Sequence, residues 1–185
     1  MKDILWSMDL FRCESLTLRT HWILVVMDQY SRRIIGFAVQ AGTVNGVALC
    51  RMFHRAIAGY SALPKYLSMD HDPLFLLEQW QANLRILDVA EIKTVPYVPL
   101  SHPFVERLIG SVRRELLDRT FFWTAVDLEN KLLEFQIFFN SHRAHASLDG
   151  RTPDQDKNAA QPFADLRSYR WLSYCRGLYQ TPIAA

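Results

Sequence analysis

The feature that most constrains the fold is the longest uninterrupted apolar run, residues 22–27. Both faces of this segment are apolar, as in a strand that lies inside a sheet and is covered on both sides. The run has six residues, whereas a membrane-spanning helix needs roughly 20. It therefore predicts the central strand of a covered sheet and argues against a membrane-spanning chain.

Strand-like segments flank this run on both sides. Residues 5–11 alternate between two faces, with Asp9 on one of them, and residues 34–39 are again apolar. Residues 28–32 form the only connection between the second and third segments. Because short connections join antiparallel neighbours, the first forty residues predict a three-strand antiparallel meander.

Helices and short strands are predicted to alternate after the meander. The predicted helices are residues 43–60, 74–87, 102–119 and 126–140, and the predicted strands are residues 66–69 and 92–95. A strand–helix–strand order implies a parallel crossover. The predicted fold class is α/β, with a five-stranded mixed sheet made of the meander and two parallel strands, flanked by helices.

Three acidic residues occupy unusual places in this layout. Asp9 lies within an otherwise apolar strand, Asp70 follows the fourth strand, and Glu106 lies in the first turns of a helix at the rim of its apolar stripe. Carboxylates gathered at the edge of a core repel one another unless a cation neutralises them. Oxygen ligands favour Mg²⁺ or Mn²⁺. Each residue also has an ordinary structural explanation, as a strand-edge, turn or helix-start residue, so the triple alone leaves both explanations open.

The sequence around these residues adds specificity. The relevant segments are WSMD at residues 6–9, DQYSRRIIG at 28–36, SMDHDPLF at 68–75, FVERLIGSVRRE at 104–115, and the spaced set Asn140, Arg143, His145, Ser147, Leu148, Thr152 and Pro153. Together they resemble the integrase catalytic core of retroviral integrases and bacterial insertion-sequence transposases. The 35 residues between Asp70 and Glu106 match the separation that is characteristic of that family.

The resemblance implies a ribonuclease-H-like fold with Asp9, Asp70 and Glu106 as catalytic and metal-binding residues. It implies two Mg²⁺ or Mn²⁺ ions, with Asp9 bridging both, and a reaction in which DNA is cleaved and its 3′-OH is transferred to target DNA. The implied partners are the DNA of element ends and target and further copies of the chain on DNA. The implied location is the bacterial cytoplasm, with no membrane partner.

Five basic or imidazole side chains are candidate DNA contacts. They are Arg107, Arg113, Arg114, Arg143 and His145. Phosphate contacts position DNA without specifying its sequence. For the three arginines of the glutamate helix, the alternative is ion pairing with acidic neighbours on the same helix, and the sequence leaves both open.

One departure from the family pattern concerns the second aspartate. His71 and Asp72 stand where Asn-Gly commonly follows, so Asp72 is an alternative ligand to Asp70. We favour Asp70, because Asp72 directly precedes Pro73 and suits the cap of a helix.

We divide the chain into a catalytic core, residues 1–150, and a C-terminal tail, residues 151–185, expected to dock on the core or lie near DNA. The chain opens at the first core strand, without the helix-turn-helix region that relatives usually carry. Two alternatives therefore accompany the transposase interpretation: a truncated fragment that binds DNA or oligomerises without catalysis, and a ribonuclease-H-like nuclease. Composition does not distinguish between these three interpretations, since a net charge of +2 gives no indication of a nucleic-acid partner.

Overall fold

The computed structural model of the chain describes residues 3–93, 103–155 and 169–184. Its centre is a five-stranded sheet with the order β3-β2-β1-β4-β5. The strands are β1 (Leu5–Glu14), β2 (Thr20–Asp28), β3 (Ile34–Ala41), β4 (Tyr66–Met69) and β5 (Ala90–Lys93). β1 and β3 are antiparallel to β2, while β4 is parallel to both β1 and β5. The predicted mixed sheet with its meander is confirmed.

Both faces of β2 are buried, as its apolar run predicts. Leu24 and Val26 point into one core, and Ile23, Val25 and Met27 point into the other. These five side chains have relative exposures of 2 % or less. Because successive side chains of a strand point to opposite faces, one strand supports both layers of helices.

Among the described residues, four α-helices cover the two faces. They are α1 (Gly46–Ile57), α2 (Glu78–Ile86), α3 (Pro103–Ser111) and α4 (Ala125–Ser141). α1 and α2 pack in the first core, and α3 and α4 in the second. α1 begins later than predicted because the Asn45 side chain accepts a hydrogen bond from the Ala48 N–H, at 2.9 Å, and caps the helix there. β5 begins two residues earlier than predicted, at Ala90.

The predicted helix 74–87 is interrupted. A 3₁₀ turn, Pro73–Leu76, precedes α2, and the Asp72 side chain caps it by accepting the Leu74 N–H at 2.8 Å. The predicted helix 102–119 also changes character, because α3 continues as a π-helical turn, Val112–Leu117. In that turn the Asp118 N–H donates to the Arg113 carbonyl, at 2.9 Å. A π turn shifts the direction of every later side chain relative to an α-helix.

The later described part of the tail, residues 169–184, is a β-hairpin of β6 (Tyr169–Tyr174) and β7 (Tyr179–Ala184). The ring of Tyr179 stacks on Phe138 of α4 with centroids 4.1 Å apart. Cys175, in the turn, is buried in the second core. Residues 156–168 lie outside the described residues, and the domain boundary at residue 150 stays a prediction.

Within the described ranges, no helix combines the length and apolar character needed to cross a membrane.

Candidate functional site

The pairing of neighbouring strands places two of the predicted acidic residues at the same height along the sheet. Ser7 of β1 pairs in register with Ser68 of β4, and this is the last paired position of the two strands. Asp9 and Asp70 each follow two residues later. Since parallel neighbours run in the same direction, the two carboxylates lie side by side where β1 and β4 separate.

The environment of Asp9 disfavours its charge. Burial raises its pKa most, followed by the negative charge of Asp70, with smaller contributions from Glu106 and Asp72, and the pKa reaches about 7. The Leu10 N–H opposes this by donating to Asp9 Oδ1 at 2.7 Å. The three predicted acidic residues therefore lie close enough to act on one another electrostatically.

The contacts around the second aspartate favour Asp70 over Asp72 as a ligand. Asp70 Oδ1 accepts the Asp72 N–H at 3.0 Å, which fixes the turn after β4. One oxygen of Asp72 is engaged in capping the 3₁₀ turn. Asp70 is also the largest charge contribution to the pKa of Asp9, and Asp72 the smallest.

Glu106 lies in the first turn of α3 and is exposed, while Val105 and Leu108 of the same helix are buried. None of the ion pairs among the described residues involves Glu106, Asp9 or Asp70. The negative charge at this flank of α3 is thus not neutralised by a described side chain.

The three acidic residues fit a divalent cation in their chemistry. Their donors are all carboxylate oxygens, and the pKa of Asp9 is raised first by burial and then by the charges of Asp70 and Glu106, a repulsion that a cation would relieve. Across the described ranges, however, no three His, Cys, Asp or Glu side chains surround a common point at metal-binding distance. Coordination by all three would need their side chains to draw together.

The candidate DNA contacts separate into two groups. Arg113 turns towards β1: its guanidinium donates to the Arg12 carbonyl at 3.1 Å and lies over the Phe11 ring, 5.2 Å from its centroid. It lines a cavity of about 740 Å³ together with Arg12. The other four candidates line a different cavity.

That second cavity, which we call the basic cleft, has a volume of about 520 Å³. Its charged and imidazole lining residues are Arg32, Arg107, Arg114, Arg143 and His145. Arg32 is not among the DNA contacts predicted from the sequence. It lies in the turn between β2 and β3 with a positive φ of 63°. The direction of its side chain therefore cannot be predicted from the alternating pattern of a strand. Its presence in the DQYSRRIIG motif was the available signal.

The spaced motif after α4 has a structural role in this fold. The Asn140 side chain accepts the Ile34 N–H and donates to the Ile34 carbonyl, both at 2.9 Å. Asn140 thereby satisfies the edge of β3 like a strand residue. Arg143 forms a two-point ion pair with Glu115, at 3.0 and 2.6 Å. Glu115 thus pairs across to this loop and not with an arginine of its own helix.

His145 packs edge-on against Phe139, with ring centroids 4.5 Å apart. Burial lowers the pKa of His145, and the positive charges of Arg143 and Arg32 lower it further. Both effects favour the neutral imidazole over the charged one, and His145 lines the basic cleft.

Comparisons with known proteins support the resemblance. The family model described as integrase core domain matches residues 87–153, which include Glu106 but neither Asp9 nor Asp70. An uncharacterized 39.2 kDa protein of insertion element IS476 of Xanthomonas euvesicatoria is 25% identical over 172 residues, covering 88% of this chain and 49% of that protein. The chain spans about half the length of the curated relatives it matches.

Solved structures of integrases share the fold. The HTLV-2 integrase catalytic core domain in complex with magnesium, in its trimeric form, has a TM-score of 0.61 at 18% identity, covering 83% of this chain and 95% of that one. A chain of the simian T-cell lymphotropic virus intasome, in complex with PP2A regulatory subunit B56 gamma, has a TM-score of 0.64 at 17% identity, covering 92% and 62%. The ribonuclease-H-like fold and the resemblance to integrase cores are confirmed.

Proposed function

We propose that the chain is the catalytic core of an insertion-element transposase that cleaves DNA and joins its 3′-OH end to target DNA. The observation that carries the proposal is the placement of Asp9 and Asp70 two residues beyond the last paired position of β1 and β4, with Glu106 close enough to act on Asp9, in a fold shared with integrase catalytic cores. Perturbed carboxylates gathered at a strand edge are typical of functional sites.

In this proposal, Asp9, Asp70 and Glu106 would hold two Mg²⁺ or Mn²⁺ ions. Bound ions would supply charge stabilisation for the attacking and leaving oxygens of an in-line displacement. Asp9 lies within β1, two residues beyond its last pair with β4, and the Asp70 side chain is tied to the turn after β4 by the Asp72 N–H, whereas Glu106 is exposed on α3.

Arg113 is proposed to hold a DNA phosphate next to the acidic site. Its position over Phe11, two residues after Asp9 on the same face of β1, supports this role. The hydrogen bond to the Arg12 carbonyl orients the guanidinium before DNA binds, so less side-chain freedom is lost on binding.

We further propose that copies of the chain associate through an apolar surface that α4 leaves exposed. Five large apolar side chains contribute to it: Phe121, Trp123, Val126, Leu133 and Ile137, with exposures from 45% to 75%. Val126, Leu133 and Ile137 share one face of α4 by their spacing, and exposed apolar surface of this kind is typical of protein–protein contacts. Light scattering should show self-association of the wild-type chain, and Leu133→Asp should abolish it. The control Leu76→Asp, on the distant 3₁₀ turn, should leave self-association unchanged. Equal masses for the three proteins would contradict this proposal.

The catalytic proposal is tested with a pre-cleaved DNA end, a plasmid target and Mg²⁺ or Mn²⁺. Wild-type chain should give joined products, and Asp9→Asn, Asp70→Asn and Glu106→Gln should give none. Glu78→Gln, an exposed carboxyl on α2, serves as the matched control and should join normally. Nicking without joining would instead support the nuclease alternative, and binding without either reaction the truncated-fragment alternative.

A further inference from the structure

The basic cleft is a cavity whose lining carries positive charge without negative charge. Four arginines reach it from three separate segments: the β2–β3 turn, α3 with its π turn, and the loop after α4. No aspartate or glutamate is among the described residues that line it. Segments distant in sequence have thus converged to present guanidinium groups to one volume.

Most of these charges lack a counter-charge. Among the ion pairs of the described residues, none involves Arg107, Arg114 or Arg32. Burial lowers the pKa of Arg32, and the nearby positive charge of Arg107 lowers it further against the attraction of Asp28. Like charges held together at the cost of mutual repulsion indicate that an anion from outside completes the site.

The cleft is also ordered in advance. The Arg32 guanidinium lies 3.3 Å from the centroid of the Phe104 ring and donates to the Gln29 carbonyl. Arg143, by contrast, is already paired with Glu115 at two points, so the unpaired charge of the cleft comes from the other three arginines. The hydroxyls of Ser111 and Ser147 lie on the same lining. Guanidinium and hydroxyl donors of this kind match the oxygens of a phosphodiester.

The cleft and the acidic site lie on opposite flanks of one helix. Phe104, Arg107 and Ser111 follow the spacing of three and four residues that marks one face of α3. Glu106 lies about 100° from Arg107 around the helix, towards the other face. A helix with its side chains is about 10–12 Å across, which is close to the ~12 Å width of a DNA major groove.

We propose that the basic cleft is a second DNA-backbone site, which holds a phosphodiester segment other than the one that reacts. This inference rests on the proposed function in that the ligand is the same DNA. The acidic flank of α3 receives the reacting phosphate, and the cleft anchors a neighbouring stretch of backbone. Because its donors contact phosphates and not base edges, the cleft adds affinity without sequence preference.

The test is DNA binding in EDTA, so that no chemistry takes place. The full chain carrying Arg107→Ala and Arg114→Ala is compared with one carrying Arg51→Ala and Arg85→Ala. The control pair is exposed on α1 and α2, outside the cleft, and removes the same charge. The affinity for a duplex of about 25 base pairs is measured by fluorescence anisotropy at several salt concentrations.

The cleft variant should bind roughly tenfold more weakly, and the slope of log affinity against log salt should fall by about 1.8, or 0.9 for each lost phosphate contact. The control should keep the wild-type slope. Equal losses in both variants would overturn the inference, as would unchanged DNA binding with lost binding of polyglutamate, which would identify an acidic peptide as the ligand.

A scan with uncharged methylphosphonate linkages places the contact on DNA. Some substitutions should weaken binding by the wild-type chain but not by the cleft variant, and these positions should differ from the joined end. If every sensitive position affects both proteins equally, the cleft contacts no backbone. These readouts need no catalysis, so a failure of the cleft is distinguishable from a failure of the catalytic proposal.

Discussion

The two flanks of α3 are chemically opposite although one short helix carries both. On one flank Glu106 acts on the pKa of Asp9 together with Asp70. On the other, Arg107 and Arg114 line a cleft without acidic residues. A net charge of +2 hides this arrangement, because the negative and positive sites nearly cancel. The distribution of charge around one helix, and not the net charge of the chain, therefore indicates where the chain would bind DNA.

The largest expected effect is on chemistry at the acidic flank. Asp9→Asn removes a carboxylate but keeps the side-chain size, so strand transfer should fall by at least about 100-fold, the size of effect expected when an electrostatic contributor to the transition state is lost. DNA affinity in EDTA should not fall. Joined products are quantified under single-turnover conditions to check this. A variant that joins DNA at the wild-type rate would show that Asp9 is not a catalytic residue.

The same substitution should stabilise the fold. The pKa of Asp9 is raised from its ordinary 3.8 to about 7, so the folded state binds the proton more tightly than the unfolded state. The free energy of unfolding therefore falls as pH rises from about 4 to 7 and is lowest above 7.

Asp9→Asn should consequently be more stable than wild type by about 1–3 kcal/mol at pH 8 without divalent ions, after discounting for the partial exposure of Asp9. The difference should vanish near pH 4. Urea unfolding at both pH values measures it. A variant that is less stable than wild type at pH 8 would show that Asp9 is not repelled by its neighbours.

Binding of Mg²⁺ should offset the destabilisation that the ionised Asp9 causes. Because a cation binds the ionised carboxylates, Mg²⁺ should raise the melting temperature of wild type more at pH 8 than at pH 6. The increase should be absent in Asp9→Asn. Thermal unfolding with Mg²⁺ and with EDTA provides the measurement, and an equal increase in both proteins would indicate that the ion binds elsewhere.

The smallest expected effect concerns the boundary of the basic cleft. Glu115→Gln breaks the ion pair that neutralises Arg143, which frees one guanidinium for phosphate. DNA affinity should rise about threefold and the salt slope by about 0.9, while stability falls by up to about 1 kcal/mol. Weaker DNA binding would mean that the pair is needed to position Arg143.

The sheet and the position of the acidic residues were largely predictable. Two-sided apolarity in β2 and alternation in β1 gave the meander, and Asp70 at the end of β4 follows from the strand pattern. These features depend on periodicity within single segments, which sequence carries directly.

The separation of the arginines follows from helix spacing. At about 100° per residue, Arg107 and Arg114 share one face while Arg113 lies near Glu106, and in the structure Arg113 faces β1 while Arg114 lines the cleft. The contribution of Arg32 depends on a left-handed residue in a turn. The hairpin β6–β7 was missed because most of the β6 side chains are exposed, which leaves no alternation of apolar and polar residues to recognise.

The most direct test compares two adjacent residues, Glu106 and Arg107, at DNA concentrations that saturate both variants. Strand transfer is measured for Glu106→Gln and Arg107→Ala alongside wild type. Because Glu106 belongs to the acidic site and Arg107 to the basic cleft, Glu106→Gln should form no joined product although its DNA is fully bound. Arg107→Ala should join DNA at nearly the wild-type rate once it is saturated. Joining by Glu106→Gln at the wild-type rate would contradict the assignment of chemistry to this flank.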